Sequence, residues 1–209
     1  MASLDSIMKP RSIAVVGAST KPNTIGSDLL KRLIEYGFNG KIYPVNPKGG
    51  VIEGLTAYPS VLDIPGDVDL AIIVVKNTFV LSTIDQCHEK GITGLVVISA
   101  GFKETDEAGA ALEKELAAKV KAYGMRCVGP NCLGVVNTDP AVRMDGCFAE
   151  SLPQRGDIGF VSQSGALGGG ILNILKDLNI GFSQFISIGN QADVNAETAI
   201  EYWENVDDV

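Results

Sequence analysis

The chain has 209 residues, more than one small domain needs and slightly less than two full ones occupy. A hydrophobic fraction of 45% with 6% aromatics supports an aliphatic core and excludes disordered, collagen-like and mucin-like readings. Seventeen basic against 25 acidic side chains give a formal charge of −8, which repels phosphate backbones and anionic bilayers, so neither nucleic acid nor a membrane is an expected partner.

Short apolar runs alternate with helix-period segments along the first 135 residues. Ser12–Val16 is a compact β-rich run, followed by the small-residue loop Gly17-Ala18-Ser19-Thr20. Ile25, Leu29, Leu30, Leu33 and Ile34 then form one helical stripe, which Gly37 stops. Lys41–Val45 is a second strand, ending in Asn46-Pro47-Lys48-Gly49-Gly50. Asp69–Val75 is apolar almost throughout, as a strand buried on both faces should be. A helix follows over about 78–90, then a strand at 94–98, and a long amphipathic helix over 105–123 with Thr105 as its expected cap and Gly124 as its stop. Arg126–Val128 is a fifth strand. This repetition predicts a parallel sheet with helices on both faces.

Residues 137–156 are turn-rich and carry no clear period, so the boundary is placed near 150, dividing the chain into 1–150 and 151–209. Beyond it the pattern restarts: a strand over 157–161, Ser162-Gln163-Ser164-Gly165, a helix to about 178, a strand over 185–188 and a helix through Trp203. Two such units do not cover both faces of a sheet, and the second domain reads as incomplete.

Charge is unevenly spread. Residues 1–150 carry 15 basic and 17 acidic side chains, whereas 151–209 carry 2 and 8, so an anion site is expected in the first part. The four cysteines form no C-x-x-C pair, and with the one histidine, His88, they match no zinc spacing. Free thiols in a reducing compartment, no signal-like N-terminus and no apolar run near 18 residues predict a soluble, cytoplasmic protein.

In doubly wound sheets, ligands sit at the carboxyl ends of the strands, and here those ends are rich in small and polar residues. A small-residue loop opening a helix presents N–H groups at the positive end of a dipole and suits a phosphate. The loop is neither G-x-G-x-x-G nor a P-loop, and Gly17 equally suits a plain strand-to-helix turn. Dinucleotide sheets hold the ribose with an acidic residue after the second strand; Asn46-Pro47-Lys48 stands there instead. Lys48 is either a solvated surface lysine or the partner of a terminal phosphate, as in NADP or coenzyme A.

The strings GASTKPNTIG, YPVNPKGG, ISAGFKE, GPNCLG and FVSQSGALG, in this order, resemble the ADP-forming (NDP-forming) acyl-CoA synthetases, relatives of the succinyl-CoA synthetase α subunit, over essentially the whole chain. Leu133 in GPNCLG is similar to the acetate–CoA ligase branch rather than the succinate branch. The resemblance implies a Rossmann-like CoA-binding α/β domain followed by the start of a flavodoxin-like α/β domain. It implies interconversion of acyl-CoA, ADP and phosphate with acid, CoA and ATP, through an acyl phosphate and a phosphohistidine. ADP or ATP and Mg would be held by an ATP-grasp subunit or fused domain, and an oligomer is expected.

Position by position, the resemblance implies that Gly17, Ala18, Ser19 and Thr20 contact the CoA phosphates and that Lys48 lies near the phosphate end. Val75 would present backbone to the adenine or pantetheine arm, with Lys76 where the family commonly has proline. Ile98, Ser99 and Ala100 would line the pantetheine, and Asn131 and Cys132 would lie where the thiol emerges. Nothing nearby in sequence activates Cys132, which reads as a structural cysteine. Ser162, Gln163, Ser164 and Gly165 would turn a helix N-terminus toward the phosphohistidine; as a bare motif they also serve as an ordinary cap. Gly168-Gly169-Gly170 early in that helix suits either close packing or room for an acyl group. His88 matches no family motif, so no catalytic residue is assigned in this chain. The rival readings are a non-enzymatic CoA-sensing module, the head of an acetyltransferase and, less favoured, a dinucleotide-dependent redox protein.

Overall fold

A computed structural model describes residues 3–149 and 151–209; the boundary residue 150 and the first two residues lie outside the described set. The chain opens with the short helix α1 (Asp5–Met8) and strand β1 (Ser12–Val16). Helix α2 (Ile25–Tyr36) is capped by Thr24, whose side chain accepts from the Ser27 N–H, and ends on Gly37 in the left-handed conformation. Strand β2 (Lys41–Val45) is followed by a hairpin, β3 (Gly50–Ile52) and β4 (Leu55–Ala57). Its turn, Glu53-Gly54, holds both residues at positive φ, the geometry of a type I′ turn.

Strand β5 (Leu70–Ile73), helix α3 (Asn77–Lys90), strand β6 (Gly94–Val97), helix α4 (Glu107–Ala122) and strand β7 (Arg126–Val128) complete the first sheet. Its five strands run parallel in the order β2-β1-β5-β6-β7. A parallel bridge from Tyr58 to Val45 adds one more position beyond β2. The strand order therefore reverses between β1 and β5, the crevice where doubly wound sheets place their ligands.

The second sheet departs from the sequence reading. Strands β8 (Gly134–Asn137) and β9 (Met144–Cys147) occupy part of the stretch expected to be turn-rich. They pair with β10 (Arg155–Ser162) and β11 (Phe182–Ser187) in the order β10-β11-β8-β9. Only β10 and β11 run parallel; the other two pairings are antiparallel. Strand β9 is hard to recognise because its interior carries Asp145, fully buried and paired with Arg32 of α2 at 2.7 Å. Helices α5 (Gly165–Asp177) and α6 (Ala196–Trp203) complete the chain.

Alternation along the central strands divides the core. Ala14, Val16, Ala71 and Ile73 pack with Val80 and Ile84 of α3 and Leu116 and Val120 of α4. Ile13, Leu70 and Val96 face the other way, against Leu29 and Leu33 of α2, and that cluster runs on into Val135, Met144 and Ile186 of the second sheet. The two sheets thus share one apolar core. Two local expectations change. The ends of the α2 stripe, Ile25 and Ile34, are 42% and 39% exposed, so only the middle of the stripe is core. The cap of α4 is Asp106, which accepts from the Gly109 N–H, while the Thr105 hydroxyl donates to the Phe102 carbonyl instead.

Candidate functional site

A cavity of about 950 Å³ opens where the ends of β5, β6 and β7 meet the start of α5. Val75, Ile98, Ser99, Ala100 and Asn131 lie on its first-sheet side, and Gln163, Ser164 and Gly165 on the α5 side. Five of these eight residues were expected along the CoA arm and three at a phosphate-directed helix N-terminus, and the fold brings both groups, far apart in sequence, around one cavity. The wall is held from behind: the Ser99 hydroxyl donates to the Val75 carbonyl at 2.6 Å, and the Asn131 N–H donates to the Ser99 carbonyl at 3.0 Å. Ser164 caps α5, its hydroxyl accepting from the Leu167 N–H, and Gln163 reaches across to the Gly189 carbonyl. The N-terminus of α5, capped at the Leu167 N–H by Ser164, thus borders the space that the strand ends enclose, and its first-turn N–H groups at Gly165 and Ala166 make a favourable setting for an anion.

Six expected residues do not line this cavity. Ser162 is buried and donates to the Ser164 carbonyl, shaping the turn before α5. Gly17 adopts φ +100°, and Ala18 is fully buried, so this loop offers a ligand its backbone and the Ser19 and Thr20 hydroxyls rather than an Ala18 side chain. The loop is tight because Gly26, at the start of α2, sits over it: a Cβ there would fall 2.1 Å from the Gly17 carbonyl oxygen. Lys48 is exposed at the end of β2. Asn46 joins the two loops, donating to the Ala18 carbonyl at 2.8 Å and accepting from the Lys48 N–H at 2.9 Å.

Several cavity residues carried no site assignment in the sequence reading. Ile25 owes its exposure to a place on the wall, and Lys76 brings a cation to it. Leu133 and Phe148 form an apolar side. Cys132 is 5% exposed, its thiol donates to the Val97 carbonyl at 3.4 Å, and burial pushes its pKa up to about 12, so it lines the site as an inert thiol. Gly168 has a packing reason, since a Cβ would stand 3.1 Å from the Phe185 ring; Gly169 would touch only a Leu133 methyl at 3.7 Å, and Gly170 would meet nothing within 4 Å. The glycine run is thus one packing position followed by two that keep volume open, at about 1 kcal/mol each against alanine.

Behind Asn131 lies a polar knot absent from the sequence reading. Asn190, 6% exposed, donates through Nδ2 to Glu104 at 2.6 Å and to Glu113 at 2.7 Å, and its Oδ1 accepts from Asn131 at 3.3 Å. Lys103 bonds both Glu113 and the Asn190 carbonyl. Burial pushes the Glu104 carboxyl up, but the bonds from Asn190 and from the Gly101 and Phe102 N–H groups outweigh it and hold the pKa below the ordinary value. The Asn190 N–H also donates to the Pro130 carbonyl, so the loop after β11 is sewn to the loop that presents Asn131. His88 is remote from this chemistry, exposed in the last turn of α3 and stacked on Tyr123 at 4.0 Å between ring centroids. Among the described residues no group of His, Cys, Asp and Glu is placed to hold a metal ion, and no helix is long and apolar enough to cross a membrane.

Residues 11–138 match the family described as the CoA binding domain, and residues 155–209 match the succinyl-CoA ligase-like flavodoxin domain. The chain is 48% identical to the α subunit of acetate–CoA ligase [ADP-forming] II from Pyrococcus furiosus, over 95% of this chain and 43% of that one. It is 42% identical to acetate–CoA ligase [ADP-forming] from Methanocaldococcus jannaschii, over 98% of this chain and 28% of that one. Its fold superposes with TM-score 0.95 and 40% identity on the dinucleotide-forming acetyl-coenzyme A synthetase 1 of Candidatus Korarchaeum cryptofilum, solved with phosphate and ADP, covering 100% of this chain and 44% of that one. The chain therefore spans less than half the length of these relatives. It belongs to the CoA-binding domain family, continues into a succinyl-CoA ligase-like flavodoxin domain, and is a homologue of the α subunits of ADP-forming acetate–CoA ligases.

Proposed function

We propose that this chain is the CoA-binding portion of an ADP-forming acyl-CoA synthetase, which converts acyl-CoA, ADP and phosphate to acid, CoA and ATP. The observation that carries the reading is the single cavity shared by the strand ends of the first sheet and the N-terminus of α5. The Gly17–Thr20 loop and Lys48 hold the CoA phosphates, Val75 and Ile98–Ala100 take the pantetheine arm, and the thiol arrives near Asn131. The N-terminus of α5, at Ser164 and Gly165, holds the phosphate of an acyl phosphate. In the synthesis direction the thiolate attacks the acyl carbon; the C–S bond forms, the C–O bond to phosphate breaks, and inorganic phosphate leaves. Proximity is the chief contribution of these residues, since the two reactants meet in one enclosed space.

The nucleotide and Mg are held by an ATP-grasp subunit or fused domain in a cytoplasmic oligomer, and no residue of these 209 is assigned as the phosphohistidine. His88, stacked on Tyr123 outside the cavity, does not serve as the phosphohistidine. The two matched segments support dividing the chain near residue 150, with β8 and β9 crossing into the second sheet. A CoA-sensing module or acetyltransferase head is disfavoured because it has no use for a phosphate-directed helix on the same cavity. Titration calorimetry tests the reading: CoA binds, NAD and NADP do not compete, and the 209-residue chain alone shows no ligase turnover. Preferential binding of either dinucleotide, or turnover without an added subunit, contradicts it.

A further inference from the structure

We infer that Lys76 is a further binding residue for the reaction, the cation that holds the CoA diphosphate where the pantetheine arm enters the cavity; this rests on the CoA reading above. Among the described residues that line the cavity, Lys76 alone carries a charge. Its side chain is exposed, and no carboxylate among the described residues pairs with it. Local structure gives no reason for a lysine here. Lys76 is the N-cap of α3, it makes no side-chain cap bond, and the first turn holds no acidic residue. A cation at the positive end of a helix is unfavourable, and N-caps are ordinarily Ser, Thr, Asp or Asn.

The position is nevertheless firmly set. The Val74 N–H donates to the Val16 carbonyl at 2.9 Å, and the Ser99 hydroxyl holds the Val75 carbonyl. The phosphate loop lies against the same segment, since a Cβ on Gly17 would stand 2.9 Å from the Val74 carbonyl oxygen. The strand order β2-β1-β5 then puts Lys48 and Lys76 on opposite sides of the loop that follows β1. Lys48 stands at the end of the strand that faces the ribose in such sheets, the side of the 3′-phosphate. Lys76 stands on the cavity side, where the pantetheine arm leaves the diphosphate. The loop offers neutral donors, and Lys76 adds the charge-assisted bond they lack.

Calorimetry on the full chain with CoA and 3′-dephospho-CoA, at low and high salt, tests this. Lys76→Met should weaken both ligands by the same factor, about tenfold at low salt, the size of one charge-assisted hydrogen bond. The loss should shrink at high salt, where the ion pair of the parent chain is screened. Lys76→Arg should keep most of the affinity, and Lys76→Pro, which suits the φ of −58° at this position, should lose as much as Lys76→Met. Lys48→Met, an independent variant, should weaken CoA but not 3′-dephospho-CoA. Three outcomes overturn the inference: unchanged CoA affinity in Lys76→Met, a loss confined to CoA, or a loss that is independent of salt and not restored by arginine. The second would place Lys76 on the 3′-phosphate and the third would make its stem a packing element. CoA binding that ignores Lys76 sinks this inference alone, whereas no CoA binding by the unaltered chain sinks the parent reading with it.

Discussion

At the scale of residues, the site depends on buried polar groups whose partners lie far away in sequence. Asn190 holds two carboxylates with one amide nitrogen and steadies Asn131 with its oxygen. Asn190→Leu leaves Glu104 and Glu113 without that donor and should cost roughly 2–3 kcal/mol, read from urea unfolding. Glu104 has a pKa depressed in the folded state, so its contribution is present above the unfolded value, about 4.3, and is lost as pH falls through the folded one. Glu104→Gln should therefore lower Tm at neutral pH and flatten the fall in Tm on acidification below that value; an unchanged acid limb would show that Glu104 is not the group involved. The Arg32–Asp145 pair makes a second test. Burial pushes the Asp145 carboxyl up and Arg32 opposes it. Arg32→Met strands a buried carboxylate and should destabilise by about 3–5 kcal/mol, with Arg32→Met/Asp145→Asn recovering part of the loss.

At the scale of elements, glycines separate what packing demands from what the cavity demands. Gly26→Ala drives a methyl into the Gly17 carbonyl, and either α2 or the loop must move; a loss of about 1–3 kcal/mol and weaker CoA binding are expected, seen by thermal unfolding and calorimetry. Gly170→Ala meets nothing and should stabilise by about 1 kcal/mol. A destabilised Gly170→Ala chain would refute the claim that this position is held open for a ligand. The parallel βαβ elements were legible because strands buried on both faces are unbroken apolar runs, and because left-handed glycines such as Gly37 mark helix ends. Strand β9 was not, since Met144-Asp-Gly-Cys lacks a β pattern: its place comes from the ladder with β8, and its buried Asp145 is tolerated through Arg32 of α2. Val75, Ser99 and Asn131, which the resemblance singled out, stand just after strands of the first sheet; Asn190 stands in the same way just after β11 and was not singled out.

At the scale of the whole molecule, the two sheets behave as one body because one apolar cluster runs from Ile13 and Leu70 through Val135 to Ile186. Thermal unfolding should therefore show one transition across both sheets, and resolved separate melting of the second sheet would contradict a shared core. CoA at a hundred times its Kd should raise stability by about 2.7 kcal/mol, acting on that same transition. The charge asymmetry also takes on a use: the acidic residues of the last 59 positions leave the CoA-facing part nearly balanced, with Lys48 and Lys76 exposed at the strand ends. The most direct measurement is a crystal structure of the chain with CoA bound. The account predicts the phosphates at the Gly17–Thr20 loop and Lys48, with the sulfur inside the cavity between Asn131 and the start of α5. CoA bound elsewhere, with that cavity empty, would contradict it.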